Sequence, residues 1–340
     1  MRQHSIPFAA LALAALTSCA DPAEPVGTSS AALACGEWGC TGNSSTIGPY
    51  RSHEFHTGGT SNTEGLHIDG FWIGGVRYTP VVDGYRFTAR RGTTVKAGNQ
   101  LVNGYFKVLD SNGVEFQIKV TAVSNTVTFW LGDADAVPTY ELKYKQMPAG
   151  KEQPVCANPP GSVDPTSDPG SPAPWLEPFE AILFTGDRYD AVTKKVWTTG
   201  GPDTTGWFNI GCAGSALAKM HLNRHTSAGA KGMFNASPEA RQSLLNAFTA
   251  NLCGDGMAYT EPGTPLRWKN AAGWKPDFAP AWDLEAVWGP EGAVCIDDAY
   301  RVPWVIPANV CAPAIQSCED LPGYDEASWQ NWGLVRTAIP

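Results

Sequence analysis

The chain has 340 residues, a formal net charge of −9 at pH 7, and 36 Gly, 27 Pro, 13 Trp and nine Cys. This length suffices for one large or two small domains. The acidic balance, without any run of Lys and Arg, argues against binding to nucleic acid or to anionic membrane surfaces, because both attract clustered cations.

The first 19 residues have the pattern of a bacterial lipoprotein signal peptide. Arg2 precedes an apolar run, Ile6 to Leu16, that is too short to span a bilayer permanently. The run ends in Leu16-Thr17-Ser18-Cys19, which is similar to a lipobox in which Cys19 becomes the lipidated first residue of the mature chain. An ordinary signal peptide with a chance Cys is the alternative. We therefore expect a lipid-anchored protein of the cell envelope, on the periplasmic or surface face of the outer membrane, or otherwise a secreted protein.

Eight cysteines remain once Cys19 is set aside. They are Cys35, Cys40, Cys156, Cys212, Cys253, Cys295, Cys311 and Cys318. An even number in an exported protein predicts a disulfide framework, whose connectivity the sequence leaves open. Cys35 with Cys40 and Cys311 with Cys318 are close enough in sequence to close small loops, which would leave the other four to pair among themselves. Zinc binding is the alternative, but no Cys-x-x-Cys pair occurs.

The N-terminal half is predicted to contain a tether followed by a β-rich domain. Residues 20–65 are rich in Ser, Thr, Gly, Ala and Pro, which is typical of a flexible tether. Residues 66–150 contain short strand signals, the clearest being a hairpin from Tyr105 to Val120 with Asn112-Gly113 in its turn. Five to seven short strands at this spacing predict a small antiparallel sandwich or barrel.

Residues 151–178 contain eight Pro and are predicted to be a linker that holds the boundary between two domains. Beyond this linker, the sequence predicts a hairpin over residues 179–200 and a helix from Ala213 to His225. A second helix is expected to begin at Ser237, because Ser suits the N-cap and Pro238 the first helical position, and to stop at Gly254.

Further strand signals lie at residues 264–268 and 282–288, and Pro290-Glu291-Gly292 would turn the second of these back towards Cys295. Residues 321–340 show no clear element and are assigned to a C-terminal tail. The predicted fold class is therefore α+β: a β-rich N-terminal sandwich or small barrel, then a disulfide-stapled domain with two main helices.

Three Cys-bearing pieces of the second half carry a family resemblance. Gly211 to Lys219, Ala250 to Gly256 and Trp288 to Cys295 together resemble the ADYC domain of bacterial proteins, over roughly residues 179–320. The chain reads Ala250-Asn251-Leu252-Cys253 at the tetrapeptide that names the domain, so two of those four residues differ. The resemblance implies a fold unit and no activity.

Other positions depart from the family pattern. Members often carry additional Cys where this chain has Met220 and about Leu244, which implies that one cross-helix bridge is replaced by apolar packing. Acidic residues that usually follow the Gly-Thr-Pro are replaced by Arg267, Trp268 and Lys269.

Three sets of residues were weighed as catalytic or metal-binding groups. His221 and His225 lie four apart on a predicted helix, as in many zinc proteases, but Leu222 stands where that motif has its Glu, so a solvated helix end is the simpler interpretation. Ser215 could be a nucleophile, although helix starts favour Ser in any case. Four carboxylates could include an acid/base pair for glycoside cleavage, for which turn formation is the alternative: Asp187, Asp190, Asp255 and Glu285.

None of these sets is complete, so no catalytic residue, metal or cofactor is assigned. We expect a cell-envelope lipoprotein with a non-enzymatic binding or surface-structural role, whose partners are the membrane, through the lipid on Cys19, and a carbohydrate or protein ligand, but no nucleic acid. Exposed Trp and Tyr side chains would suit a carbohydrate, although core packing explains most of these residues at least as well. The alternative is a secreted hydrolase acting on polysaccharide or ester substrates.

Overall fold

The computed structural model describes residues 44–130, 135–157, 180–197, 204–226, 236–260, 264, 266–270, 273–275, 282–297, 301–302, 310–325, 327–331 and 333–339. The predictions for the signal peptide, for Cys19, Cys35 and Cys40, and for residues 158–178 of the Pro-rich segment lie outside these residues. None of the helices in the described ranges has the length and apolar character needed to cross a membrane.

The described part of the chain has the predicted α+β class, with strands in the majority. The strands are β1 (Glu54–His56), β2 (His67–Ile73), β3 (Val76–Asp83), β4 (Arg86–Arg91), β5 (Thr94–Ala97), β6 (Tyr105–Leu109), β7 (Glu115–Thr128), β8 (Ala136–Gln146), β9 (Gln153–Pro154), β10 (Glu180–Thr185), β11 (Arg188–Tyr189), β12 (Val196–Trp197), β13 (Trp207–Cys212), β14 (Arg267–Asn270), β15 (Gly273–Lys275), β16 (Asp283–Gly289), β17 (Gly292–Ile296) and β18 (Val335–Ile339). The α-helices are α1 (Ala216–Leu222) and α2 (Pro238–Thr249), and 3₁₀ turns occur at Gly98–Leu101, Cys318–Asp320 and Trp329–Asn331.

An 11-stranded antiparallel sheet organises the first part of the fold. Its order is β1-β13-β10-β8-β7-β6-β2-β3-β4-β5, and β9 pairs with β8. The predicted hairpin is confirmed as β6 and β7, in which Leu109 faces Glu115. Gly113 has a φ of 79°, and Asp110 Oδ1 accepts hydrogen bonds from the amides of Asn112 and Val114, each at 2.8 Å. The turn is therefore built as its sequence predicts.

The first sheet curls around an aromatic core. Phe87 on β4 and Phe208 on β13 are far apart in the strand order, yet both rings pack against Phe106, with centroids 5.0 and 6.0 Å away. Because strand residues alternate between two faces, the inward-facing side chains of each strand join this core, and the others lie on the opposite face of the sheet.

The predicted flexible tether is wrong for residues 44–65. Ile47 and Phe55 are 0 and 1% exposed, and β1 pairs with β13. The carboxylate of Glu54 accepts two hydrogen bonds from Arg188, at 2.8 and 3.1 Å, and the Arg188 guanidinium lies 3.7 Å from the ring centroid of Trp207. The contact between Glu54 and Arg188 joins positions 134 residues apart, so the local composition of the segment carries no sign of it.

The Pro-rich segment does not divide the fold into two separate sheets. β10 follows this segment in sequence but pairs with β8, which precedes it, and with β13. The predicted hairpin over residues 179–200 is also wrong in its pairing, because within residues 180–197 the short strands β11 and β12 pair with each other, while β10 does not pair with either. β10 is instead buried in the large sheet, where its apolar side chains face both sides.

The two helices pack between the first sheet and a second, 5-stranded one. Helix α1 contacts β13 and β10, α2 contacts α1, and α2 also packs on β16, β17 and β18. The second sheet has the order β15-β14-β18-β16-β17, so the segment assigned to a C-terminal tail, in which the sequence showed no clear element, contributes β18 at its centre. The strand signals near residues 267 and 283–289 and the turn into β17 are confirmed.

The helix boundaries follow capping chemistry. Ser237 caps α2 by accepting a hydrogen bond from the amide of Ala240 at 3.2 Å, with Pro238 as its first residue, as predicted. Helix α1 is shorter than expected: it starts after Ser215 and ends at Leu222. Helix α2 ends at Thr249 because Ala250 adopts a left-handed conformation (φ 49°), four residues before the predicted stop at Gly254.

Three disulfide bonds join the described cysteines, in the pairs Cys156–Cys212, Cys253–Cys311 and Cys295–Cys318. The suggested loop between Cys311 and Cys318 is therefore wrong. Ser317 forms a parallel bridge with Ile296, which places Cys318 beside Cys295 on β17, while Cys311 meets the end of the α2 region at Cys253. Disulfides of this kind indicate an oxidising compartment outside the cytoplasm.

Candidate functional site

A cavity of about 670 Å³ lies where the N-terminal segment, β13 and both helices meet. Its volume is in the range of small-molecule sites, about 300–1,000 Å³. The wall is formed by residues 44–53, the turn from Tyr189 to Lys194, the start of α1 and the last turns of α2. The cavity is the candidate site because it combines an apolar floor with a few polar groups.

The floor of the cavity is apolar. Ile210 on β13, Leu217 on α1, and Leu245 and Phe248 on α2 line it. Ile210, Leu245 and Phe248 are only 2–3% exposed, since they also belong to the cores between sheet and helices. Burying the apolar part of a ligand here would contribute a favourable free energy of roughly 25 cal/mol per Å² of apolar surface removed from water.

Two cations, Arg51 and Lys194, also line the cavity. Burial lowers the pKa of Lys194, and the neighbouring positive charge of Arg51 lowers it further, while Asp190 opposes the shift. The ammonium of Lys194 donates a hydrogen bond to the carbonyl oxygen of Ala191. Arg51 is exposed and forms no ion pair with any residue that the structure describes. The two cations repel each other, so an anionic group placed between them would be stabilised.

Asp190 stabilises the turn that carries Lys194. Burial alone would raise the pKa of Asp190, but hydrogen bonds from the amides of Thr193 and Val192, each at 2.8 Å, hold that pKa below its ordinary value. The amide of Lys194 in turn donates to the carbonyl of Asp190 at 3.0 Å. The carboxylate thus shapes the turn.

His53, which lines the cavity, is a neutral imidazole. Its Nε2 lies 2.8 Å from the carbonyl oxygen of Tyr189, and because a carbonyl can only accept, Nε2 carries the proton and Nδ1 is left as the acceptor. Burial lowers the pKa of His53, although the negative charge of Glu54 opposes this shift. The imidazole is therefore uncharged near neutral pH.

Sequence reasoning missed Arg51, His53 and Lys194. The first two lie in the segment predicted to be a tether, and the partner of His53 is 136 residues away in sequence. No local motif marks such a contact.

Ser215 lines the same cavity but serves as the N-cap of α1. Its Oγ accepts a hydrogen bond from the amide of Ala218 at 3.1 Å, and Ser215 has the extended backbone of an N-cap residue. This is the helix-start role that its position favours.

The other carboxylates weighed for catalysis have separate partners. Asp187 lies 2.6 Å from Nε of Arg241 in a buried ion pair, and Glu285 pairs with Arg301. Asp255 Oδ1 accepts from the amide of Met257 at 2.9 Å, which is the predicted turn role. Each acid thus has a folding role in a different part of the structure.

His221 and His225, which were predicted to lie on the first helix, do not form a metal centre with other described residues. His221 is fully buried, with its ring stacked 4.4 Å from that of Phe184 and its Nδ1 lying 3.3 Å from Thr226 Oγ1. Nδ1 of His225, which lies beyond the end of α1, donates to the carbonyl of Asn223 at 2.7 Å. Within the described ranges, no group of three or more His, Cys, Asp or Glu side chains is arranged to hold a metal ion.

Lys219, the last residue of the first ADYC-like piece, is buried among rings. Its Nζ lies 5.6 Å from the ring centroid of Phe248 and 6.0 Å from that of Trp268, and has no hydrogen-bond partner in the described part of the chain. Burial, and then the positive charge of Arg301, lowers the pKa of Lys219 well below its ordinary value. Its aliphatic stem and amine therefore act as part of the core.

The second and third ADYC-like pieces pack against each other. Gly254 has a φ of 69°, and a Cβ there would lie 2.1 Å from the carbonyl oxygen of Glu291. Gly292 is equally restricted, since its Cβ would lie 2.4 Å from the carbonyl oxygen of Leu252. The amide of Ala293 donates to that same carbonyl at 2.9 Å. The glycines are needed because two backbones touch at this junction.

This junction also supports the cavity wall. A Cβ on Gly256 would lie 2.2 Å from the carbonyl oxygen of Val192, in the turn that carries Lys194. From α2, Gln242 donates to the carbonyl of Lys194 at 2.8 Å and accepts from the amide of Val196 at 2.9 Å. The second ADYC-like piece therefore supports the turn that carries Lys194, while Ser215 and Leu217 of the first piece line the cavity themselves.

Compared with known protein families, residues 98–302 match the ADYC domain. No curated protein and no solved structure gives a significant match. The matched region starts within the first sheet, well before residue 179, and spans both sides of the Pro-rich segment. Since it covers more than half of the sequence, the chain belongs to the ADYC domain family.

Proposed function

We propose that this protein is a lipid-anchored, non-enzymatic binding protein of the cell envelope, and that its cavity takes a small amphipathic ligand with a carboxylate. One observation carries the proposal: an apolar floor and two mutually repelling cations, Arg51 and Lys194, line one cavity of about 670 Å³. A ligand with an acyl or other apolar body and a carboxylate head would satisfy both features at once.

A titration with simple probes tests the ligand class. The oxidised full-length protein would be titrated with decanoate, decanol and decyltrimethylammonium by calorimetry. We expect decanoate to bind more tightly than the other two, because only its head group is attracted by Arg51 and Lys194. The variant Lys194→Gln should weaken decanoate binding by about tenfold, which corresponds to about 1.4 kcal/mol, and leave decanol binding unchanged.

The neighbouring residue Lys195 provides the matched control. It lies in the same turn region but pairs at 3.9 Å with the exposed Glu291 and does not line the cavity. Lys195→Gln should therefore leave decanoate binding within about twofold of the native value. Equal affinity for decanoate and decanol, or an equal loss in both variants, would reject the carboxylate preference.

The anchor has a separate test. The lipobox-like sequence that ends in Cys19, together with the disulfides that indicate an oxidising compartment, supports export and lipidation. Palmitate labelling of cells that express the chain should mark the protein, and Cys19→Ala should abolish the label. Labelling that persists in Cys19→Ala would reject lipidation at this residue.

A secreted hydrolase is the second candidate function, because Ser215 and His53 line the same cavity. Against it, the Oγ of Ser215 already accepts the helix amide of Ala218. Hydrolysis of a p-nitrophenyl ester that is lost in both Ser215→Ala and His53→Gln would favour this alternative over a binding role.

A further inference from the structure

A row of cationic and aromatic side chains crosses the outer face of the first sheet. Cross-strand pairing places Arg77 opposite Trp72, Trp72 opposite Tyr105, Tyr105 opposite Lys119, and Lys119 opposite Lys143. These five residues, on β3, β2, β6, β7 and β8, are here called the cationic row. Neighbouring strands lie about 4.8 Å apart, so the row is roughly 19 Å long.

The row faces away from the aromatic core. On β7, Ile118 and Val120 are buried on either side of Lys119, and on β8, Leu142 and Tyr144 are buried on either side of Lys143. The members of the row are half-buried or exposed, and none of them lines the cavity. The row is therefore a surface separate from the candidate site.

The charges of the row are only partly balanced. Arg77 lies 3.3 Å from Asp69, but Lys119 and Lys143 form no ion pair with any described residue. Like charges directly opposite each other on paired strands destabilise a sheet. Lys145, which faces Gln117 on the same side, adds a third cation without an ion pair in the described ranges.

The nearby acids have polar partners, one of which, Arg77, belongs to the row itself. Asp69 is shared between Arg77 and Lys107, at 3.3 and 3.5 Å, and Glu115 lies 3.4 Å from Lys107. Glu141, two residues before Lys143 on β8, accepts a hydrogen bond from the hydroxyl of Thr121. In a chain with a net charge of −9, strand register thus brings three cations without ion pairs among the described residues, Lys119, Lys143 and Lys145, to one face of the sheet, while Glu180 on β10 lies opposite Glu141 at the next strand.

One aromatic member, Trp72, is held in place by a hydrogen bond. The indole Nε1 of Trp72 donates to the carbonyl of Asp69 at 3.1 Å, which fixes the ring within the row. A fixed flat ring beside cations suits a ligand that presents both sugar faces and carboxylates, because the ring loses little conformational freedom on binding.

We propose that the cationic row binds an acidic polysaccharide, with the sugar rings on Trp72 and Tyr105 and the carboxylates at Lys119 and Lys143. The charge of the row complements a polyuronate, and the aromatic pair separates the cations along one line, as a repeating chain of charged sugars requires. The disulfides indicate an oxidising compartment outside the cytoplasm, where such polymers occur and nucleic acid is not the ordinary partner.

The test uses the oxidised full-length chain and alginate oligosaccharides, with malto-oligosaccharides as the neutral comparison. We expect binding of alginate that weakens as salt is raised, and no comparable binding of the neutral polymer. The double variant Lys119→Gln/Lys143→Gln should weaken alginate binding at least about tenfold, and Trp72→Ala should weaken it as well. Melting temperatures measured in parallel show that each variant is folded.

Arg91→Gln/Lys96→Gln is the control, because it removes the same net charge from the β4–β5 hairpin of the same sheet. It should leave alginate binding within about twofold of the native value. The proposal is overturned if the native chain does not bind alginate at low salt, or if the control weakens binding as much as the row variant. Tighter binding to duplex DNA or to phosphatidylglycerol vesicles, with the same dependence on Lys119 and Lys143, would overturn the polysaccharide assignment. None of these outcomes bears on the proposed binding of decanoate in the cavity, which is tested separately.

Discussion

Arg301 and Glu285 form a buried bidentate ion pair between α2 and the second sheet. Arg301 Nε lies 2.8 Å from one carboxylate oxygen of Glu285, and Nη2 donates to the other at 2.8 Å. Arg301 also donates to the carbonyls of Phe248, at 3.1 Å, and Ala247 in the last turn of α2. The same guanidinium thus satisfies the end of the helix that lines the cavity and anchors it to β16.

Removing the carboxylate should destabilise the protein strongly. Glu285→Ala would leave the Arg301 charge buried without its partner, which costs about 3–5 kcal/mol. The free energy of unfolding would be measured by urea denaturation of the oxidised protein. Asp69→Ala, which removes a partly exposed partner of Arg77 and Lys107, should cost less than about 1 kcal/mol. Similar losses in the two variants would contradict the importance of the buried pair.

Peptide mapping without reduction should recover the three pairs Cys156–Cys212, Cys253–Cys311 and Cys295–Cys318. The double variant Cys295→Ala/Cys318→Ala opens a loop between residues 23 apart, and should lower the free energy of unfolding by about 3 kcal/mol. Recovery of a Cys311–Cys318 peptide would contradict the observed pairing and restore the short-loop alternative.

The junction between the second and third ADYC-like pieces predicts that substituting Gly254 costs more stability than substituting Gly113. Gly254→Ala and Gly113→Ala both introduce a side chain at positive φ (69° and 79°), but a Cβ meets the Glu291 carbonyl at the first position and nothing within 4 Å at the second. The backbone strain is common to both, so Gly254→Ala should cost about 1–3 kcal/mol more. Thermal unfolding of the two variants measures this difference, and equal melting temperatures would show that the junction is not tight.

Local patterns in the sequence predicted the elements whose cause is local. The Asn112-Gly113 turn, the Ser237 cap of α2 and the hairpin around Pro290 all depend on residues within a few positions of each other, and all three are confirmed. Export-type cysteine usage likewise indicated disulfides.

The missed features depend on contacts between distant positions. The segment around Glu54 has the composition of a tether, and only its pairing with β13 and Arg188 makes it part of the fold. The cationic row is invisible in sequence because its members are brought together by strand register, not by spacing. The pairing of Cys318 with Cys295 follows from the bridge between Ser317 and β17, which no loop length predicts.

His221 should make stability depend on pH. Burial, with a contribution from Arg224, lowers the pKa of His221 from 6.5 to about 3. The unfolded chain therefore takes up a proton below pH 6.5 that the folded chain does not. Above pH 6.5 this residue does not reduce the free energy of unfolding, and below pH 6.5 it lowers that free energy progressively until the pH reaches about 3. The expected slope from this residue is about 1.4 kcal/mol per pH unit.

The variant His221→Phe isolates this slope, because Phe keeps the stack on Phe184 but does not titrate. Between pH 6.5 and pH 5, the free energy of unfolding of the native chain should fall faster than that of His221→Phe, by about 2 kcal/mol over the interval. Parallel curves for the native chain and His221→Phe would contradict the shift.

The like-charge pair in the cationic row should make a single neutral substitution stabilising. In Lys143→Gln the repulsion with Lys119 is removed, so the free energy of unfolding should rise by about 0.2–1 kcal/mol, and Lys143→Glu should raise it further by forming an opposite-charge pair. Lys145→Gln is the matched control: it lies on the same strand and face but opposite the neutral Gln117, and should leave stability unchanged. The gain in Lys143→Gln should shrink at high salt, because exposed charges are then screened. A destabilised Lys143→Gln, or an equal gain in Lys145→Gln, would mean that the two ammonium groups do not oppose each other, and the surface would lose its electrostatic reason to bind an anion.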